Sequence, residues 1–362
     1  VNISSRLARL VAINGVEYSL ILRPEDVRWL TGFTGKTSFV LVNRSASSAT
    51  LFVDGRYFDR ALSEIEKAKA NVDVRLLKSS ESMSMALASL VKTHDLGVDH
   101  DHITASRLQA LAEVMSVVPE RTAMNDLRRV KDEWEIELMA QAAQIADKAL
   151  LSVLADGIDG RTEKQVRNRL DSEMRENGAD DVSFATIVAT GPNGARPHHE
   201  PSERRIESGH GVVIDFGAEV SGYRSDMTRT IQVGGWSAQY QHMYNTVREA
   251  QQAGVDAIQD GVSGAHVDGV VRAVFAREGL EHEYVHGTGH GIGLYIHEEP
   301  ILSPRCEAVL QSNEVVTVEP GLYRGGVGGV RIEDQVVVTG TGCRILTLSP
   351  KELSCPRSPQ TI

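Results

Sequence analysis

Cysteine is scarce in this chain, long apolar runs are missing, and basic charge is in deficit. Each shortage removes a class of function. The 362 residues include only three cysteines, Cys306, Cys343 and Cys355. So small and odd a set, without metal-type spacing, argues against a disulfide framework and fits a reducing compartment. No stretch approaches the roughly 18–20 apolar residues of a membrane helix. The opening Val1-Asn-Ile-Ser-Ser-Arg6 lacks a basic segment followed by an apolar run, so no export signal is read there and a cytoplasmic protein is expected. Lys and Arg total 38 against 49 Asp and Glu, a net charge of -11. That sign repels phosphate backbones and anionic lipid, so neither nucleic acid nor membrane is an expected partner. No internal repeat and no glycine-rich nucleotide loop is present.

What remains is ordinary globular material, 41% hydrophobic and 24% charged. A single core stops growing beyond roughly 250–300 residues, so two domains are expected. Over residues 1–125, short apolar strands at 18–22, 38–42, 50–53, 72–77 and 96–99 alternate with helical stretches at 57–70 and 82–93. That alternation predicts an α/β domain. Over residues 126–362 the pattern changes. A helix over 134–153 carries Leu138, Ala142, Ile145, Ala149 and Val153 on one face. A second begins at Thr162 with Gln165 three residues on, a capping box, and stops near Gly178. Two more helices fit 243–258 and 266–278, with strands at 186–189, 212–215, 227–233, 315–318 and 335–339. Helices able to cover one face of a mostly antiparallel sheet predict α+β here. The tail, 356–362, reads as unstructured.

Chemistry-bearing residues concentrate in the second domain. In Asp215-Phe-Gly-Ala-Glu-Val-Ser-Gly-Tyr-Arg-Ser-Asp226 the pair Ser221-Gly222 is a natural two-residue turn. Pairing about it sets Gly217 opposite Asp226. Asp215 then becomes a diagonal neighbour of Asp226 on one face, roughly 7–8 Å away at the backbone. A register slip of one would separate them, leaving an exposed hairpin with unremarkable aspartates. Farther on, Val315-Val-Thr-Val-Glu319 and Val330-Arg331-Ile332-Glu333 flank a glycine-rich loop. Symmetric pairing about Gly326 sets Glu319 opposite Glu333, and the alternative is an ion pair with Arg331 as partner. Between these segments lies His286-Gly-Thr-Gly-His290-Gly-Ile-Gly-Leu-Tyr-Ile-His297, whose glycines permit close approach. An earlier loop carries His198 and His199. Alone, either loop could be a hydrogen-bonded turn.

Together, four acids and a histidine make an oxygen-rich site with one nitrogen. Clustered carboxylates without counter-charge repel, and divalent cations supply the missing charge. Such a donor set favours Mn²⁺, with Co²⁺ or Zn²⁺ as alternatives, over a structural zinc site. A pair of such ions holding a bridging hydroxide is hydrolytic machinery.

Asp215-Phe-Gly through Asp226-Met-Thr-Arg-Thr, His-Gly-Thr-Gly-His290-Gly-Ile-Gly-Leu, Val-Glu319-Pro-Gly-Leu-Tyr and Val-Arg-Ile-Glu333-Asp resemble the aminopeptidase P and prolidase family. The resemblance spans the chain, including Trp29-Leu-Thr-Gly-Phe-Thr-Gly and Val53-Asp-Gly-Arg-Tyr in the first domain. It implies a creatinase-like amino-terminal domain, a pita-bread catalytic domain, a homodimer, and cleavage of Xaa-Pro bonds in short proline-containing peptides. It also implies roles. Asp215 would hold the first metal ion, Asp226 and Glu333 would bridge both, and His290 and Glu319 would hold the second, with Glu319 also accepting a proton. His198 would lie near the scissile bond, and His297 would bond the developing oxyanion. His286 would line the pocket for the residue after the cut, and Arg331 would orient carboxylates or the substrate terminus. His199 stands where relatives often carry a small residue, which implies a differently shaped mouth. Related folds also include methionine aminopeptidases, creatinases and metal-free protein-binding modules. The first normally lack the amino-terminal domain, creatinases do not use this metal set, and the binding modules have typically lost ligands.

Overall fold

A computed structural model describes residues 2–120 and 123–355, and the tail at 356–362 lies outside them. The chain divides into two compact units, Val1–Arg128 and Arg129–Ile362. In the first, β1 (Tyr18–Ile21), β2 (Ser38–Asn43), β3 (Ser48–Asp54), β4 (Asp73–Leu77), β5 (Leu96–Val98) and β6 (Val117–Pro119) form one sheet in the order β4-β3-β2-β1-β5-β6. β1, β2 and β3 pair antiparallel, whereas β4, β5 and β6 join in parallel. Parallel neighbours need crossovers. The helices Phe58–Ala68, Met83–Val91 and Ala105–Ala112 supply them. Stacked Phe39 and Phe52, ring centroids 4.6 Å apart, pack into a core with Leu20, Leu41, Leu87 and Leu96. This is the expected α/β domain, with extra helices at Arg6–Val11, Pro24–Thr31 and Met124–Arg129. Each is too short for periodicity to reveal. Met124–Arg129 packs as a helix because Met124 and Leu127 turn inward one helical turn apart.

The second unit starts with the helices Glu133–Ala155 and Glu163–Glu176. The capping box is present, with Gln165 N–H donating to Thr162 Oγ1 (3.2 Å) and Thr162 N–H donating to Gln165 Oε1 (2.9 Å). Their apolar faces pack with Val188, Val212, Ile214, Phe216, Met227 and Ile231. The helices Ala238–Ala257 and Gly264–Arg277 cover Leu322, Val330 and Ile332, and their ends reach Val316, Val318 and Val336. The first of these starts earlier than periodicity suggests, because the Ser237 hydroxyl caps Tyr240 N–H (3.2 Å). The α+β composition holds, but the sheet is divided. Strands separate into sets of three, four, five and two, and nearly all of their pairings are antiparallel. The helices thus cover several small curved sheets, and acidic strand ends from different sheets meet between them. All three cysteines are free thiols. Among the described residues no helix is long and apolar enough to cross a membrane.

Candidate metal centre

The first acidic pair comes from an antiparallel hairpin. Its turn residues Ser221 (φ 48°) and Gly222 (φ 76°) both have positive φ, as a tight hairpin turn requires. Val220 faces Tyr223 at the tip, and Phe216 faces Met227 beyond it. The register is therefore continuous, and Gly217 falls opposite Asp226. Asp215, opposite Thr228, shares a face with Asp226 as expected. Gly217 is needed here, since a Cβ would sit 1.9 Å from Ser225 O.

The second pair follows the same logic. Gly321 faces Arg331 in the two-stranded ribbon, and Val318 faces Asp334 in the five-stranded sheet. One register runs through both, so Glu319 and Glu333 stand opposite each other between them. Symmetric pairing about Gly326 is what the structure has. The ion pair is different from the alternative considered for these acids. Arg331 Nη2 donates to Asp215 Oδ2 at 2.5 Å, not to Glu319 or Glu333.

His290 enters on the short strand Gly289–Gly291, squeezed between Glu298–Leu302 and Val315–Val318. A Cβ on Gly289 would lie 1.9 Å from Thr317 O, and one on Gly291 2.2 Å from Glu299 O. Glycine on both sides is what lets the histidine reach the centre. Its Nδ1 must donate to the Gly291 carbonyl (2.9 Å), which leaves the Nε2 lone pair free. Nε2 lies 3.6 Å from Asp226 Oδ2 and 3.5 Å from Glu319 Oε1.

These groups share a cleft of about 500 Å³ that Asp215, Asp226, His290, Glu319, Glu333, His198, His286, His297 and Arg331 all border. Every site residue named from the sequence is in it. Donor atoms of Asp226, His290 and Glu333 lie within 4.8 Å of one another. Asp215 Oδ1, Asp226 Oδ1 and Glu333 Oε1 are buried with no hydrogen-bond partner. Native proteins rarely leave such atoms unsatisfied, and three converging anionic orphans beside a free imidazole nitrogen fit a cation. The electrostatics agree. Burial, with the charges of Glu333, Asp215 and Glu319, drives the Asp226 carboxyl far above its usual range. Burial, with Glu319 and Asp215, does the same to Glu333. Glu319 is pushed up to about 8, chiefly by burial, while Arg331 pulls it back. Burial also holds His290 down to about 4, so its imidazole is the neutral, ligating form at neutral pH.

The surroundings fix these groups. Thr228 Oγ1 donates to Glu333 Oε2 (2.8 Å) and accepts from Arg331 Nε (3.1 Å). Thr317 Oγ1 accepts from His290 N–H (3.1 Å). His286 Nδ1 donates to the Gly287 carbonyl (2.8 Å), so its Nε2 accepts from the Tyr323 hydroxyl (2.8 Å), which itself accepts from Arg331 Nη1 (2.9 Å). Burial keeps His286 neutral, at about 4. His297 is exposed, edge-on to His290 with centroids 4.5 Å apart. His198 is exposed on the cleft, but its neighbour His199 does not shape the mouth. His199 is buried, and its Nε2 lies 2.8 Å from Glu163 Oε2. Glu163 also accepts from Thr190 N–H, Asn193 Nδ2, and both the N–H and hydroxyl of Ser202, so it clamps both ends of the His198 loop. Sequence reading missed Thr228, Thr317, Tyr323 and Glu163. The two threonines were within reach, since each stands two residues from an acid on its own strand and shares its face.

A family profile described as Metallopeptidase family M24 matches residues 137–340, and one described as Creatinase/Prolidase N-terminal domain matches residues 4–130. The Xaa-Pro dipeptidase of Pyrococcus horikoshii is 33% identical over 343 residues, covering 94% of this chain and 95% of that protein. The solved structure of an Xaa-Pro dipeptidase from Bacillus anthracis superposes with a TM-score of 0.90 at 37% identity, covering 97% of this chain and 98% of the other. The X-Pro aminopeptidase from Thermotoga maritima superposes with a TM-score of 0.87 at 32% identity, covering 97% and 100%.

Proposed function

The chain belongs to metallopeptidase family M24, and we propose that it hydrolyses Xaa-Pro bonds at the amino terminus of short peptides with two divalent metal ions. The observation that carries this reading is the convergence of Asp226, His290 and Glu333 donor atoms within 4.8 Å, with buried carboxylate oxygens left unpaired beside them. Asp215, Asp226 and Glu333 would hold one ion, and Asp226, Glu333, His290 and Glu319 the other, with Mn²⁺ the best match to a mostly carboxylate donor set. When bound, such ions supply Lewis acidity and make a water molecule acidic enough to serve as nucleophile near neutral pH.

The chain's own groups do the rest. Glu319, whose Oε1 lies 3.5 Å from His290 Nε2 on the cleft, takes the proton released as the nucleophile forms and can return it to the departing nitrogen. Xaa-Pro is a tertiary amide without an N–H, and its ring restricts the preceding residue, so a shaped pocket with its own proton donor for the departing nitrogen suits it. His297, exposed at the cleft and edge-on to His290, donates to the oxyanion. His198, exposed on the same cleft, lies near the scissile bond. His286, with its tautomer set by Gly287 O and Tyr323, forms the wall for the residue after the cut. Arg331 turns Asp215 inward through their ion pair.

The names of the relatives support the substrate class, and the donor set supports the chemistry. An inactive binding module would have no use for carboxylates held without partners. The test is turnover of an Xaa-Pro-Xaa tripeptide and an Xaa-Pro dipeptide by metal-stripped and Mn²⁺-loaded protein, with Asp226→Ala as control. Metal-dependent release of the first residue, abolished in the variant, is the expected result. Folded, metal-loaded protein that cleaves neither substrate would sink the reading.

A further inference from the structure

The relatives bear both dipeptidase and aminopeptidase names at similar identity, so they leave open whether the substrate ends at proline. Charge in the cleft distinguishes these cases. Among the described residues of the second unit, the only guanidinium or ammonium bordering the cleft belongs to Arg331. That group is 3% exposed and already engaged. Nε donates to Thr228 Oγ1, Nη1 to Tyr323 Oη and the Pro197 carbonyl, and Nη2 to Asp215 Oδ2. His286 and His290 each give Nδ1–H to a backbone carbonyl. Nε2 of His286 is occupied by the Tyr323 hydroxyl, and that of His290 faces Asp226 and Glu319. Neither has a free N–H for a substrate anion. The charge of two divalent ions would be matched by Asp215, Asp226, Glu319 and Glu333. The remaining walls include Phe184, Ile296 and Ile301.

A dipeptide places its terminal carboxylate on the proline Cα, two bonds from the scissile nitrogen. The other two cleft histidines, His297 and His198, are given to the oxyanion and to the scissile bond, so that carboxylate must enter the cleft and lose water without gaining a guanidinium or ammonium partner, which is costly. In a longer peptide the same carbon is a neutral amide carbonyl, and the terminal charge lies outside. Resting on the Xaa-Pro reading above, we infer that this enzyme is an aminopeptidase of Xaa-Pro-Xaa peptides and discriminates against Xaa-Pro dipeptides by their terminal charge.

Three substrates that share a first residue test this on the Mn²⁺-loaded full chain: Ala-Pro, Ala-Pro-amide and Ala-Pro-Ala. The amide differs from the dipeptide essentially in charge alone. Its kcat/KM is expected to exceed that of Ala-Pro by at least tenfold, with the tripeptide ranking with the amide. The difference should lie mainly in KM, since the desolvation is common to the ground and transition states. An amide-to-dipeptide ratio below tenfold overturns the inference. If none of the three is cleaved, the Xaa-Pro reading itself fails, and the inference falls with it.

Discussion

Stripping the metal and raising the pH from 6.5 to 8 should weaken the fold, with Glu319, Asp226 and Glu333 all acting in the same sense. Burial lifts the Glu319 carboxyl to about 8, against an ordinary glutamate value of 4.5. The folded state therefore binds a proton that the unfolded chain has already released. For an acid raised in this way, the stabilisation is fully present below about 4.5 and is lost as the pH climbs through about 8. Integrating between pH 6.5 and 8 gives a loss of about 2 kcal/mol from Glu319 alone. His286 and His290, held near 4, act in the opposite sense. Unfolded histidine is already half deprotonated at pH 6.5, so each restores less than about 1 kcal/mol over this window. Domains of roughly this size shift by about 2–4 °C per kcal/mol. Metal-stripped protein should thus melt several degrees lower at pH 8 than at 6.5, by differential scanning fluorimetry. Glu319→Gln should make that slope shallower by the share that Glu319 contributes, leaving the part due to Asp226 and Glu333. With Mn²⁺ present the trend should reverse, because binding displaces the proton and tightens as the pH rises. A metal-free melting temperature that holds or rises, or a Gln variant as steep as the parent, would refute the reasoning.

Three further perturbations address the rest of the site. His290→Ala removes the one nitrogen aimed at the acids; it should lower bound Mn²⁺ by at least one equivalent in elemental analysis and cut kcat/KM at least 100-fold. Arg331→Lys keeps the charge but cannot reach Asp215, Tyr323 and Thr228 together, so kcat/KM should fall at least tenfold, and a loss under threefold would contradict the role given to the ion pair. Glu163→Gln sets an N–H₂ against donors that now meet carboxylate oxygens; it should cost about 1–3 kcal/mol in chemical denaturation and lower kcat about tenfold through the loosened His198 loop, with metal content unchanged.

Much of this site is legible because its acids sit at defined offsets from turns. Ser221-Gly222 and the loop centred on Gly326 each fix a register, and a fixed register decides which carboxylates share a face. The capping box at Thr162 located a helix start for the same reason, since it is a local contact written in adjacent residues. What stayed hidden depends on distant partners. His199 and Glu163 are 36 residues apart, and nothing near either announces the bond that makes His199 a structural residue. The partner of Arg331 lies 116 residues away. The division of the catalytic sheet is hidden likewise, because period-2 alternation reports that a strand exists but not which sheet receives it.

The pattern of satisfied and orphaned oxygens gives the site its physical logic. Asp215 has one oxygen held by Arg331 and the other bare, and Glu333 has one held by Thr228 and the other bare. Asp226 keeps Oδ2 beside His290 and leaves Oδ1 unpartnered. An unsatisfied buried polar atom costs about 1–3 kcal/mol, more when charged. Simple structural acids would have both oxygens satisfied by groups such as Arg331 and Thr228. Those two groups instead hold each carboxylate by one edge, fixing its orientation and presenting the other edge to a shared centre. Thr228 joins the two halves of the site, since its hydroxyl contacts both Glu333 and Arg331 and its carbonyl accepts from Glu333 N–H (3.1 Å). Such an arrangement is preorganised for cations, whose charge would offset the mutual repulsion of the acids.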